Sequence, residues 1–275
     1  MSAATALIGD LFDGQERAGF IGLQSGFMYI GGVVLVLLGG WLAELSWKGP
    51  FLVYLTAFVV FLMALHALAG TQSGDGARSS DNQPVSEVAY LPIGLIYLLV
   101  FLLMIFYYMV LVQVPFILQG RFGTGSAMTG VAISASALAG SLSSLSFPLI
   151  KRRLSYRAVY VLGFGFVAAG YVLIGNAASF WEMLSGLALA GLGNGMLMPN
   201  GSFWLMEVAP EQIRGKAVGG FTGMIFLGQF LSPLAMAPVI SFFTLNGAFL
   251  FAAAAMGMIV LVLLAVPRKV IRTSF

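Results

Sequence analysis

The sequence predicts an all-α polytopic membrane protein, and three observations carry that reading. Of the 275 residues, 60% are hydrophobic and only 8% are charged, against roughly 25% charged in a soluble domain. The apolar residues gather into runs about as long as the ~20 residues a helix needs to cross a bilayer. One long polar stretch, residues 71–87, separates those runs into two blocks.

Composition excludes several function classes. With no cysteine there is no disulfide framework, no thiolate nucleophile and no cysteine-ligated metal. A net charge of +3 is too small for a nucleic-acid partner. One histidine, no metal-ligand cluster and no carboxylate pair inside a span argue against an enzyme and give no cofactor to predict. The 35 glycines suit membrane helices, where Gly is commoner than in soluble ones. The short apolar run after Met1 does not read as a cleavable signal, because no basic segment precedes it.

Taken in order, residues 3–11 are too short to span. Residues 19–43 and 50–69 each span. Residues 71–87 hold Gly, Ser, Asp, Asn, Gln and Pro, with almost nothing to join a core, and read as a tether. Further spans follow at 91–118, 126–150, 158–178, 180–206, 217–243 and 247–266. That makes eight full spans and a stub, closed by a basic tail at 267–275.

Lys and Arg concentrate in cytoplasmic loops. Numbering the gaps alternately puts eleven of the 13 cations on one side, among them Arg17, Arg78, the run 151–157, Arg214 and Arg272. Only Lys48 and Arg121 fall on the other. The tether and the C-terminus are therefore expected to be cytoplasmic.

Sliding the chain by 197 residues lays one region over another. Gln15 meets Gln212, Arg17 meets Arg214, Gly22 meets Gly219, Gly26 meets Gly223, and Gly31 meets Gly228. An acid, Asp10 or Glu207, closes the helix before each copy. Both copies lie on one side, so the repeat is parallel, about an axis along the membrane normal. Within each copy, glycines four residues apart share a helix face and admit a neighbouring backbone, which makes Gly22, Gly26, Gly219 and Gly223 helix-packing candidates. The register predicts that a full first copy would begin roughly a hundred residues before Met1, room for three spans and most of a fourth. Residues 1–70 then read as the remainder of an N-terminal bundle. Residues 71–90 are the cytoplasmic linker, 91–266 a six-helix bundle and 267–275 a tail.

This arrangement resembles the major facilitator superfamily, with the stub as the end of span 4 and the chain running through span 12. Leu7-Ile-Gly-Asp-Leu-Phe-Asp-Gly-Gln-Glu-Arg17 looks like that family's loop after span 4. Gln113-Val-Pro-Phe-Ile-Leu118 and Lys151-Arg-Arg-Leu-Ser-Tyr-Arg157 are similar to its drug/proton antiporter branch. The span-5 glycine pattern of that branch is met by Gly31, Gly39 and Gly40, but Leu35 and Val36 stand where Gly-Pro belongs. The loop after span 8 keeps the basic residues and lacks the family's Gly and Asp, with Phe147 and Lys151 near those places. The resemblance implies an N-terminally truncated helix bundle of the major facilitator type in the cell inner membrane. Its activity would be secondary transport of small molecules by alternating access, with efflux of amphipathic compounds and proton coupling. A second polypeptide supplying the missing spans is the expected partner, beside lipid and substrate.

No Asp, Glu, Lys or Arg lies deep inside a complete span, so the candidate cavity residues are neutral. They are Gln24 and Tyr29 in span 5, Tyr107, Tyr108 and Gln113 in span 7, Asn194 in span 10 and Gln229 in span 11. Gln113 stands beside the helix-bending Pro115 and reads either as a cavity amide or as a residue near the outer surface. Asn194 reads either as a substrate contact or as a bond to a neighbouring helix, the second being favoured. His66 reads as a packed or interfacial histidine before a proton relay. Asp10, Arg17, Glu207 and Arg214 are candidates for a conformational latch between the two blocks, with topology anchoring as the plain alternative. A membrane partner that no longer transports remains the competing function.

Because the chain has no cysteine, single reporters are clean. Cysteines placed at Arg78 and Arg272 should label from the same face of the bilayer. Labelling from opposite faces would undo both the topology and the duplication.

Overall fold

The computed structural model describes residue 8 and residues 11–68 and 90–266. The stub apart from Ile8 and Leu11, Asp10, the tether with Arg78, and the tail lie outside the described residues. Every described element is a helix.

Helix α1 (Gly14–Leu45) and the 3-10 segment Gly49–Tyr54 are followed by α2 (Leu55–Leu68). The proline-led 3-10 start adds length: six residues at the steeper rise and 14 α-helical ones reach about 33 Å, a bilayer's core. Helices α3 (Tyr90–Phe122), α4 (Ser126–Leu145), α5 (Phe147–Arg153), α6 (Tyr156–Asn176), α7 (Phe180–Val208) and α8 (Glu211–Ala265) complete the chain.

One boundary departs from the sequence reading. The span drawn through residue 150 stops at Leu145. Ser146 takes turn geometry (φ −81°, ψ −4°) and Pro148, with no N–H to continue the ladder, opens the short helix α5 instead. The last two spans, read at residues 217–243 and 247–266, are the two limbs of α8. Its 55 residues would reach about 82 Å if straight, far beyond a bilayer's ~30 Å, so the chain must turn back. The turn is Thr244 at φ 67° and ψ 173°, a region that β-branched residues rarely enter. Asn246 fixes the returning limb by donating from Nδ2 to Gly175 O at 3.2 Å.

Helix α4 lies at the centre, against α1 on one side and α7 on the other. Helix α6 joins α7 to α8, and α8 packs on α3. Small residues set these distances. A Cβ on Gly191 would collide with the Ser136 carbonyl, and one on Gly195 with that of Gly140. On the opposite side of α4, a Cβ on Gly22 would stand 2.7 Å from Ser144 O, and one on Gly26 would meet Leu145 at 2.6 Å. Near the far end of α1, Gly40 and Gly130 approach backbone to backbone.

Pro199 lies inside α7 and cannot bond back to Gly195. Ser144 Oγ donates to that Gly195 carbonyl at 2.8 Å, so the neighbouring helix satisfies the group the proline frees. Large apolar side chains on α1 and α2, among them Phe27, Trp41, Phe58 and Phe61, remain exposed, as a lipid-facing surface requires.

Gly191→Val should force α4 and α7 apart and cost about 2 kcal/mol or more of stability. Gly165→Val, whose Cβ meets nothing within 4 Å, should leave the melting temperature of the purified protein nearly unchanged.

Candidate functional site

Three polar stations lie along the seam between α1 and the remaining helices. At one end, Arg17 on the first turn of α1 is buried, donating from Nε to Phe12 O at 2.7 Å and pairing with Asp13 at 2.5 Å. Its charge also acts on Glu207, at the end of α7 beyond the apolar stretch. Glu207 accepts a hydrogen bond from the Tyr156 hydroxyl. The Lys151 ammonium sits 3.4 Å from the centre of the Tyr156 ring and 5.8 Å from that of Phe203. Burial pushes the Glu207 carboxyl above the usual carboxylate range, with Lys151 and Arg17 pulling it back in part. Burial lowers the Lys151 ammonium, and Glu207 partly restores it. Stacking of Tyr156 on Trp204, 5.5 Å between ring centres, holds the phenol in place.

Deeper in, Asn194 Nδ2 donates to Tyr29 Oη at 2.7 Å and ties α7 to α1. Tyr107 of α3 interacts with Asn194, Tyr29 and Ser136. Here the small residues leave Asn194 Oδ1 and Ser136 Oγ without full hydrogen-bond partners, and Ser134 Oγ on the same helix as Ser136 is buried likewise. In a bilayer interior such acceptors are costly unless water or solute reaches them.

At the far end, Glu44 on the last turn of α1 accepts from Ala127 N at 3.1 Å. Helix α4 has no side-chain cap of its own, so the carboxylate supplies one and meets the positive end of the helix dipole.

Of the residues singled out in the sequence, Tyr29, Tyr107 and Asn194 therefore meet. Gln229 stands apart, with its amide 3.8 Å from Met104 Sδ. Gln24, Tyr108 and Gln113 are half-buried on α1 and α3. Arg17 and Glu207 share one cluster, while Arg214 is half-buried near the start of α8. Asp10 lies outside the described residues. Gly22 and Gly26 pack on α4, but a Cβ on Gly219 or Gly223 would meet nothing within 4 Å. No helix faces that side of α8 among the described residues, so the close packing expected at those two positions is absent here.

Sequence reasoning missed the serines of α4 and the inward turn of Lys151. The signal for the serines was present: small residues recur at 134, 137, 141 and 144 on one face and at 136 and 140 on another.

A model of the Major Facilitator Superfamily matches residues 1–152 and, in a second match, residues 96–274. The chain belongs to the Major Facilitator Superfamily. It is 26% identical over 247 residues to the tetracycline resistance protein, class C, of Escherichia coli, covering 85% of this chain and 61% of that protein. It is 29% identical over 119 residues to the inner membrane transport protein YajR of Escherichia coli K12, covering 43% and 26%. The chain thus spans less than two thirds of the length of either curated relative. Among solved structures it resembles the human organic anion transporter MFSD10 (TETRAN), with a TM-score of 0.73 at 17% identity over 95% of this chain and 67% of that one. That likeness shows the superfamily fold, an all-α multi-pass membrane bundle.

Within this superfamily fold the Tyr29–Asn194 bond spans the seam and can be measured. Tyr29→Phe should cost about 0.6–1.7 kcal/mol in the folded bundle, and adding Asn194→Leu should cost less than the two single changes together. Strict additivity in a double-mutant cycle would mean the two side chains are not coupled.

Proposed function

We propose that this protein works as a secondary active transporter that carries amphipathic organic compounds out of the cell across the inner membrane. The observation that carries the reading is the run of three polar stations along one seam. A charged cluster and a carboxylate-capped helix join α1 to the other helices at the two ends, and incompletely bonded polar atoms lie between. Alternating access needs end contacts that break in turn and a polar middle that solute can use. Aromatic and amide groups in an apolar surround suit a bulky amphipathic solute. A relative named for tetracycline resistance and another named as an inner membrane transport protein support export and location. The excess of cations at the Arg17 end supports a cytoplasmic assignment for that end.

In this reading Arg17, Lys151 and Glu207 form the inner latch, with Arg214 as the repeat-related position on α8. The sign of its pH response follows from the geometry. Burial outweighs the two cations in setting Glu207, so the joined arrangement holds a proton more readily than a solvated carboxyl does. Joining is favoured as pH falls through that raised value, and the contribution is lost as pH rises through it. Proton coupling belongs to the proposal.

Glu207→Lys should open the inner end, because it sets three cations together, and Arg17→Glu in the same chain should restore part of the closure. Glu207→Gln should keep the end joined and flatten its pH dependence. Cysteine accessibility from the cytoplasmic face reads both. Counterflow of a fluorescent amphipathic dye, measured in vesicles with the chain alone and with a co-expressed polypeptide carrying helices equivalent to the first part of the repeat, tests transport itself. No flux in either preparation would leave a non-transporting membrane partner as the function.

A further inference from the structure

The cations of the run 151–157 do not share one fate. Lys151 turns inward over Tyr156, and Arg157 donates to Leu264 O at 2.5 Å. Arg152 and Arg153 stay exposed, and among the described residues neither has an acidic partner. Both line an open groove of about 740 Å³ whose remaining walls are Leu149, Ile150 and Leu154.

The groove is continuous with an apolar track. Leu138 and Leu142 of α4 are 49% and 65% exposed, and Leu149 of α5, which lines the groove, is 64% exposed. The step of four residues keeps Leu138 and Leu142 on one face of α4. The serines and glycines of α4 occupy its other faces, where α1 and α7 pack. One strip of surface therefore carries bare leucines along the membrane-crossing direction and ends at two guanidinium groups.

We propose that this groove seats an anionic phospholipid from the leaflet on the cytoplasmic side, with its phosphate between Arg152 and Arg153 and an acyl chain along the leucine track. Guanidinium groups bind phosphate oxygens in pairs and lose less hydration than an ammonium would. The leucines select against a soluble anion, which would leave Leu142 and Leu149 uncovered. A zwitterionic lipid satisfies the leucines but brings its own cation to two unpaired ones. The acids of the tether, Asp75, Asp81 and Glu87, match the charge but offer no chain for the track. The bound lipid would brace the α4–α5 corner at the inner end of the seam, beside Lys151 and the latch.

The test uses the whole purified chain in detergent, with native mass spectrometry counting retained lipid and melting temperature as the second readout. Phosphatidylglycerol should be retained and should raise the melting temperature above that in phosphatidylcholine. Arg152→Gln with Arg153→Gln should weaken phosphatidylglycerol retention about tenfold or more while leaving the melting temperature in phosphatidylcholine unchanged. Lys48→Gln with Arg121→Gln, at the other end of the bundle, should leave retention intact. Leu142→Ser with Leu149→Ser should weaken it without changing the charge. Equal retention of the two lipids, or of phosphatidylglycerol by the parent and the arginine pair variant, overturns the proposal. Competition by inorganic phosphate at concentrations matching the lipid would show a soluble-anion site instead. Binding that appears only after Asp75→Asn, Asp81→Asn and Glu87→Gln would show the tether in the groove, and overturns it equally.

Discussion

A single carbonyl group organises much of this bundle. Pro199 takes away the hydrogen bond that would hold Gly195 O within α7, and in a bilayer no solvent replaces it. Ser144 Oγ does so from the neighbouring helix. That bond forms only if α4 and α7 touch backbone to backbone, and Gly140, Gly191 and Gly195 make the approach sterically open. In a membrane the hydrophobic effect does not drive helices together. Close packing and interhelical hydrogen bonds must do so, and α4 provides both. On its opposite side Ser141 Oγ reaches Gly26 O at 3.2 Å, which brings α1 into the same stack.

The stack explains why the polar middle exists. Small residues draw three helices close and leave short side chains at the crossing. Tyr29 and Asn194 can meet across it, but Ser134, Ser136 and the Asn194 carbonyl are not all satisfied. Large apolar side chains would have closed that space and covered those atoms. The same economy of side-chain volume governs the outside, where α1 and α4 present Phe, Trp and Leu outward because their small faces are turned in.

The ends of the seam obey a different rule. Near the interface, charges retain part of their hydration, so Arg17 can be buried and Lys151 and Glu207 partly withdrawn from water, held by one another, by Tyr156 and by backbone. Glu44 at the other end is held by an amide at a helix start. Each contact is ionic or polar, short and local, and so reversible, while the glycine-mediated contacts between them are not easily remade. Polar contact at the ends and close packing between them therefore come from distinct physics along one seam.

Hydropathy and the spacing of apolar runs were enough to read the class of the protein and the sharing of one end by Arg17, Lys151 and Glu207. Each follows from one-dimensional quantities: bilayer thickness, rise per residue and the bias of cations. The glycine pairs in the repeat could be read as packing faces, but not which of them has a partner. Gly22 and Gly26 find α4, whereas Gly219 and Gly223 meet nothing among the described residues. Nor could sequence distinguish Tyr29, Tyr107 and Asn194 from Gln113, Tyr108 and Gln229, since each is a polar residue in an apolar run. What separates them is the lateral order and rotation of the helices, which depend on contacts between residues more than a hundred positions apart. Only the folded bundle decides those, because a helix states its own periodicity and says nothing of which neighbour its face will meet.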